Sequence, residues 1–223
     1  MVPPGSANGT TLVLIRHGES ACSVAGVVGG AKGCTGLSER GTLEAEALRD
    51  RLLETGELAR ASALYASVLE RAVQTATIAA PGIGGGLPVN QDCSLCELHP
   101  GEGDGLTWGQ FVDRYGEPDF DVDPGIELSP GGESWSAFVR RATDALARVA
   151  ASHPGELVVV VCHAGVIEAS LSEFLPVARE RGRLKLCTGH TSLTEWELRE
   201  TTWNLHRYND TGHLSRMQAA AQR

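Results

Sequence analysis

No stretch of this 223-residue chain approaches the roughly 20 consecutive apolar residues that cross a bilayer. The opening Met1-Val2-Pro3-Pro4-Gly5 lacks a basic segment followed by an apolar one, so no secretory leader is read there. Positive charge is scarce. A formal net charge of −9 provides no basic face for non-specific nucleic-acid binding and does not favour an anionic membrane surface. A local cationic pocket can still take an anionic small molecule, because its field dominates at close range. A disulfide framework is missing too. The six cysteines (22, 34, 93, 96, 162 and 187) are scattered through a chain too large to need staples. Free thiols and a cytoplasmic setting are the expectation. Cys93-Ser94-Leu95-Cys96, with His99 three residues on, has zinc-like spacing but no second pair, which is a weak signal. Neither a metal nor any other cofactor is therefore expected. The acidic tract of Asp119, Asp121 and Asp123 lacks the glycine and terminal glutamate of a calcium loop. Residues 82–86 lack the lysine and the strand of a phosphate-binding loop. Internal repeats and interdomain linkers are absent.

What remains is an ordinary globular composition, 42% hydrophobic and 21% charged. Within it, two segments have the same shape. Thr11-Leu12-Val13-Leu14-Ile15 stops at Arg16-His17-Gly18-Glu19, and Leu157-Val158-Val159-Val160-Val161 stops at Cys162-His163-Ala164-Gly165. Short branched runs bounded by glycine suit strands buried on both faces of a parallel sheet. In open α/β sheets the carboxyl ends of such strands form the ligand crevice. Neighbouring strands would aim His17 and His163 at one site with Arg16 beside them, a grouping suited to chemistry on phosphate.

Elsewhere the pattern predicts a strand at 62–67, a helix through 71–76, at best a short strand at 87–89 and a short helix near 106–115. An amphipathic helix through 42–53, capped by Ser38 and ended near Gly56, would use Leu43, Leu48 and Leu52 as its apolar side. Further helices are read at 135–151 and 165–174, and closing strands at 184–187, 192–198 and 202–208. Residues 93–131 read as a long, irregular, acidic loop, which in a compact domain is usually functional or mobile. Trp108, Tyr115 and Phe120 stand either in a substrate cleft or in packing. The division is a flexible arm at 1–10, one catalytic domain at 11–208 and a polar tail at 209–223.

Arg16-His17-Gly18-Glu19 resembles the signature of the histidine phosphatase superfamily, the phosphoglycerate-mutase-like proteins. Leu37-Ser38-Glu39-Arg40-Gly41, the segment from Ser67 to Ala76 around Arg71, Leu95-Cys96-Glu97 with Gly101 and Gly105, Pro130-Gly131-Gly132-Glu133-Ser134, and His163-Ala164-Gly165 resemble further family segments in the expected order. The resemblance spans residues 12–208. It implies a three-layer α/β/α sandwich with a mostly parallel central sheet and an antiparallel edge strand.

The chemistry of the residues agrees with what the resemblance implies. Arg16 and Arg71 suit capture of a phosphate dianion, because guanidinium forks match phosphate oxygens and stay charged. His17 is the expected nucleophile, neutral because nearby arginines disfavour its cation. His163, protonated beside a dianion, is expected to stabilise the transferring group. Glu97 is the expected acid, with Glu102 and Asp104 as local competitors. Gly18 and Gly165 are expected to let backbone approach phosphate. Gly18, Ser23, Thr35 and Ala164 complete the expected binding set. The family often has Asn where this chain has Ser23, and His190 stands near another position often taken by Asn.

The expected function is metal-independent hydrolysis of a small phosphorylated metabolite through a phosphohistidine. Phosphoglycerate-mutase-type transfer and non-catalytic phosphate binding are the alternatives. Arg114 as the sole Lys or Arg between Glu97 and Ser134 favours hydrolysis, since mutases of the family tend to carry a more basic lid there. Expected partners are the substrate, with no nucleic acid and no membrane. The closing hairpin leaves an edge that would admit a homodimer.

Overall fold

The computed structural model describes residues 9–175 and 186–215. The element order is β1 (Thr10–Arg16), α1 (Ala21–Val24), α2 (Glu39–Thr55), β2 (Ala63–Ala66), α3 (Glu70–Ala79), β3 (Val89–Gln91), α4 (Trp108–Tyr115), α5 (Trp135–Ser152), β4 (Leu157–Cys162), α6 (Ala164–Phe174), β5 (Leu193–Arg199) and β6 (Thr202–Asp210). The strands form one sheet in the order β3-β2-β4-β1-β5-β6. β1 to β4 pair in parallel, and β5 pairs antiparallel with both β1 and β6. β5 alone therefore runs against the rest, one place in from the edge.

The two-residue period of a strand explains the layers. Leu12 and Leu14 of β1 face one side with Val158 and Val160 of β4, against Phe138 and Leu146 of α5 and Ile167 of α6. Val13 and Ile15 face the other side with Val159 and Val161, against Leu48 and Leu52 of α2 and Ala72 and Ala76 of α3. Every one of these side chains is buried. Covering helices on both faces give the expected α/β/α sandwich.

α2 begins where Ser38 Oγ accepts from Gly41 N–H at 3.0 Å. It stops at Gly56, whose φ of +67° suits the left-handed cap that glycine takes at least cost. Its buried stripe is Gly41, Glu44, Ala45, Leu48 and Leu52, while Leu43 is 54% exposed. Leu43 lies one residue off that stripe, about 100° round the helix, and does not join the apolar side.

β6 reaches Asp210, two residues into the segment read as tail. Asp210 is anchored there by Arg51 at 2.7 Å and Arg207 at 3.2 Å. Thr10 likewise belongs to β1 rather than to a free arm. In the strand read at 184–187, Leu184 and Lys185 lie outside the described residues, and Leu186 and Cys187 carry no strand. Residues 1–8 of the arm and 216–223 of the tail also lie outside them.

Candidate active site

The parallel pairing of β1 with β4 places Arg16 opposite Cys162, so the next residue of each chain segment is a histidine. His17 N–H donates to Cys162 O at 3.0 Å, continuing the ladder one step beyond the strand. The two imidazoles meet edge to face with centroids 5.0 Å apart. β2, on the other side of β4, ends in the same way: Ser67 N–H donates to Val161 O at 3.0 Å. Its hydroxyl lies 2.8 Å from His163 Nε2. Three adjacent strand ends thus deliver His17, His163 and Ser67 to one floor. The strand-end argument that singled out the histidines applies equally to Ser67, which the sequence reading passed over.

His17 is held in a definite state. Its Nδ1 lies 2.6 Å from Gly18 O, and Arg71 Nε donates to its Nε2 at 3.1 Å. A carbonyl can only accept and a guanidinium can only donate. The ring proton is therefore on Nδ1 and the lone pair on Nε2. Burial, followed by the charge of Arg71, holds the ring well below the ordinary imidazole range, so it is neutral. His163 is fully buried and lowered in the same way, by burial first and then by Arg71 and His17. It too is neutral here. The protonated form expected from the sequence belongs to a site already holding a dianion.

Arg71 projects from the first turn of α3 and is only 5% exposed. Besides His17 it donates to Gly29 O at 2.7 Å. Arg16 donates to Thr188 O, while its Nε is buried with no hydrogen-bond partner. Nδ1 of His163 is in the same position. A buried polar group left unpaired costs about 1–3 kcal/mol, and of these two residues Arg16 lines the cavity.

Above the floor is a cavity of about 270 Å³. Arg16, His17, Ser23, Arg71, Glu97 and Ala164 line it. Much of the remaining wall is apolar, including Val27, Val28, Leu98, Pro100 and Leu128. Three expected residues do not line it. His163 is fully buried beside His17, ring centroids 5.0 Å apart. Thr35 is exposed. Gly18 donates its N–H to Thr75 Oγ1 at 3.1 Å and is not free to meet a phosphate. Glycine is required there for another reason: a Cβ would stand 2.4 Å from Gly41 O, at the start of α2.

Glu97 accepts from Gly165 N–H at 3.1 Å, at the opening of α6, and from Leu98 N–H at 3.2 Å. A Cβ on Gly165 would lie 2.1 Å from Glu97 Oε1, so that glycine makes room for the carboxylate rather than for phosphate. The competing acids have other partners. Asp104 accepts from the N–H groups of Gly30, Lys32 and Gly33 at 2.8–2.9 Å and ties down that loop. Glu102 accepts from Tyr115 Oη at 3.1 Å. Neither lines the cavity, and Trp108, Tyr115 and Phe120 do not either. Trp108 instead stacks on Phe111 with centroids 5.2 Å apart, and Phe120 packs near Trp135. His190 stands 6.1 Å from His17, ring to ring, and burial and Arg16 push it down to about 4.

Arg141 of α5 organises the roof. It donates to both oxygens of Glu133 at 2.6 and 2.7 Å. It also donates to the carbonyls of Ser94, Cys96 and Glu97 at 2.9–3.2 Å. A single guanidinium thus fixes the backbone that presents Glu97. Nothing in the local sequence of Glu97 points to a partner more than forty residues away.

The sequence profile of the histidine phosphatase superfamily (branch 1) matches residues 12–211. A metal-independent phosphoserine phosphatase of Arabidopsis thaliana is 33% identical over 212 residues, spanning 92% of this chain and 84% of that protein. Among solved structures, Bacillus stearothermophilus YhfR superposes with a TM-score of 0.76 at 30% identity, covering 92% of this chain and 99% of that one. A mycobacterial glucosyl-3-phosphoglycerate phosphatase in complex with VO3 superposes with a TM-score of 0.72 at 26% identity, covering 89% and 98%. Sequence, fold and paired strand-end histidines agree, and the chain belongs to the histidine phosphatase superfamily.

Proposed function

We propose that this phosphatase passes the phosphoryl group of a small phosphomonoester through Nε2 of His17. One observation carries the reading: Gly18 O takes the ring proton on Nδ1, so the lone pair on Nε2 stands among guanidinium groups inside a cavity. Arg16 and Arg71 grip the phosphoryl oxygens, with Arg71 exchanging its bond to His17 for one to substrate. Nε2 attacks phosphorus, an N–P bond forms, and the P–O bond to the alcohol breaks. Glu97, in its acid form, gives its proton to the leaving oxygen. Water then attacks the phosphohistidine and loses its proton to the Glu97 carboxylate. The N–P bond breaks, and inorganic phosphate leaves with the imidazole restored. From the time the dianion binds, His163, whose ring centroid is 5.0 Å from that of His17, holds a proton taken from solvent and stabilises the transferring group. Ser23 and Ala164 border the ester. No step calls for a metal.

The cavity volume and apolar wall support a substrate with one phosphate and a compact remainder. Arg114 lies 3.9 Å from Glu102, away from the cavity lining, and among the described residues Arg16 and Arg71 are the cations that line the cavity. That favours hydrolysis over mutase-type transfer. Phosphoserine and glucosyl-3-phosphoglycerate, named for the relatives above, are the first compounds to assay. The catalytic unit is taken as residues 11–208, extended to Asp210 by β6. The cysteines stand as free thiols, in keeping with a cytoplasmic enzyme. Among the described residues no helix is long and apolar enough to cross a membrane. β6 is the longer of the two edge strands, so a homodimer would use that edge, and sedimentation would detect the dimer.

Rapid quenching with a ³²P-labelled phosphomonoester tests the central step. Wild-type protein should carry acid-labile label, and His17→Ala should carry none. Label persisting on His17→Ala would refute the assignment. Phosphate binding without turnover across a broad ester panel would instead indicate a binding protein.

A further inference from the structure

We propose that Cys93, Cys96 and His99 form a three-ligand site for a zinc-class divalent cation, beside the phosphate cavity and separate from its chemistry. In the sequence the pair looked incomplete. The fold supplies the missing geometry. A tight 3₁₀ turn over Cys93–Leu95 brings the two sulfurs to 3.4 Å. The chain then doubles back so that His99 Nε2 lies 3.7 Å from Cys93 Sγ. All three ligand atoms fall within 4.8 Å of one another. Zinc–sulfur and zinc–nitrogen bonds at tetrahedral angles require S···S of about 3.8 Å and S···N of about 3.6 Å. The Cys93–Cys96 and Cys93–His99 separations are within a few tenths of an ångström of those values.

The surroundings fit a ligand set as well. His99 Nδ1 lies 3.4 Å from Glu133 Oε2. A carboxylate there keeps the ring proton on Nδ1 and leaves Nε2 as the free ligand atom, the arrangement common around metal-bound histidine. Glu133 is itself locked by Arg141. Ser67 Oγ donates to Cys96 Sγ at 3.3 Å and fixes where that sulfur points. Arg141, whose guanidinium bonds the carbonyls of Ser94 and Cys96, holds the turn that carries both sulfurs. Cys93 is exposed, so the ion has a route in and a solvent molecule can take the fourth position. None of the three ligands lines the phosphate cavity, although Glu97 between them does. Occupancy closes the segment from Cys93 to His99 into a ring that contains Glu97.

Binding balances simply. Two thiol protons leave to solvent, and two sulfur–metal bonds and one nitrogen–metal bond form. No oxidant takes part.

Titrating the reduced full-length protein with Co²⁺ tests this without reference to activity. One equivalent should produce thiolate-to-cobalt charge-transfer absorption that Zn²⁺ then abolishes. Cys93→Ser and His99→Asn should each weaken binding at least tenfold. Glu133→Gln should weaken it about 10–100-fold, the usual effect of losing an outer carboxylate. Cys34→Ser should leave it unchanged. Cys93 is exposed, so an unaltered metal-free melting temperature in Cys93→Ser separates ligand loss from misfolding. Zn²⁺ should raise the melting temperature of wild type and not of that variant. No absorption from fully reduced protein, absorption undiminished in Cys93→Ser, or loss of both thiols to a disulfide in place of binding would each overturn the proposal.

Discussion

The floor and the roof of the cavity are built by different means. The floor is backbone register: β1, β4 and β2 end side by side, and His17, His163 and Ser67 follow from that pairing. The roof is side-chain carpentry, with Arg141 and Glu133 holding the segment of Glu97, and Asp104 holding the loop of Gly30 to Gly33. Moving a floor residue means moving a sheet, whereas the roof depends on a few charged contacts. The floor is thus suited to a nucleophile that must not wander, and the roof to groups that meet different alcohols.

Substitutions can break this contrast in order of expected effect. The largest is on the floor. Arg71→Ala removes the donor to His17 and, on the proposed mechanism, a phosphate clamp, and kcat/KM should fall about 10³-fold or more in a steady-state assay. A fall below tenfold would mean that the floor tolerates loss of its central cation. Next, Glu97→Gln should slow alkyl phosphates about 10²–10⁴-fold. It should slow an activated aryl phosphate far less, since that leaving group needs little protonation. Equal slowing of both removes Glu97 from the acid role.

Arg141→Ala tests the roof itself. Several carbonyls and a carboxylate lose their donor, and chemical denaturation should register a cost of about 3 kcal/mol. If the roof is separable from the floor, the ³²P label on His17 should still form in this variant. Asp104→Asn is the mildest. It should cost about 1 kcal/mol and raise KM with kcat nearly unchanged.

Acidity separates the regions as well. His17, His163, His190 and His213 all have folded pKa values below the ordinary value, chiefly through burial. Above about pH 6.5 both folded and unfolded chains hold these rings neutral, and no stability is at stake. Below it the unfolded chain takes up protons that the folded chain refuses, so stability falls as pH drops. For His213, pushed down to about 4, the loss by that pH is on the order of 3 kcal/mol. Melting temperatures between pH 7 and pH 4 should therefore drop steeply. A flat profile would mean that these rings are already charged in the fold.

Much of the floor was legible in the sequence because its physics is local. Unbroken branched runs ending in Arg-His-Gly and Cys-His-Ala-Gly report buried parallel strands and their crevice. The roof was not, because its determinants are far apart in the chain. Arg141 reads as an ordinary helix residue until α5 packs beside the segment of residues 93–97. The same distance hid the role of Gly18, whose neighbour is Gly41, and that of Gly165, whose neighbour is Glu97. Thr35 failed for another reason: loop positions follow from spacing alone only when the loop has a regular form, and the residues from Val24 to Gly36 do not.

β1, which leads into His17, sits between β4 and β5 and has no strand partner from the first 150 residues. On the ribosome, His17 emerges early and waits for the segment beyond residue 190 before its strand has neighbours on both sides. A chain cut short at any earlier point holds His17 without the two strands that fix its position, so premature termination yields fragments with an unformed cavity floor.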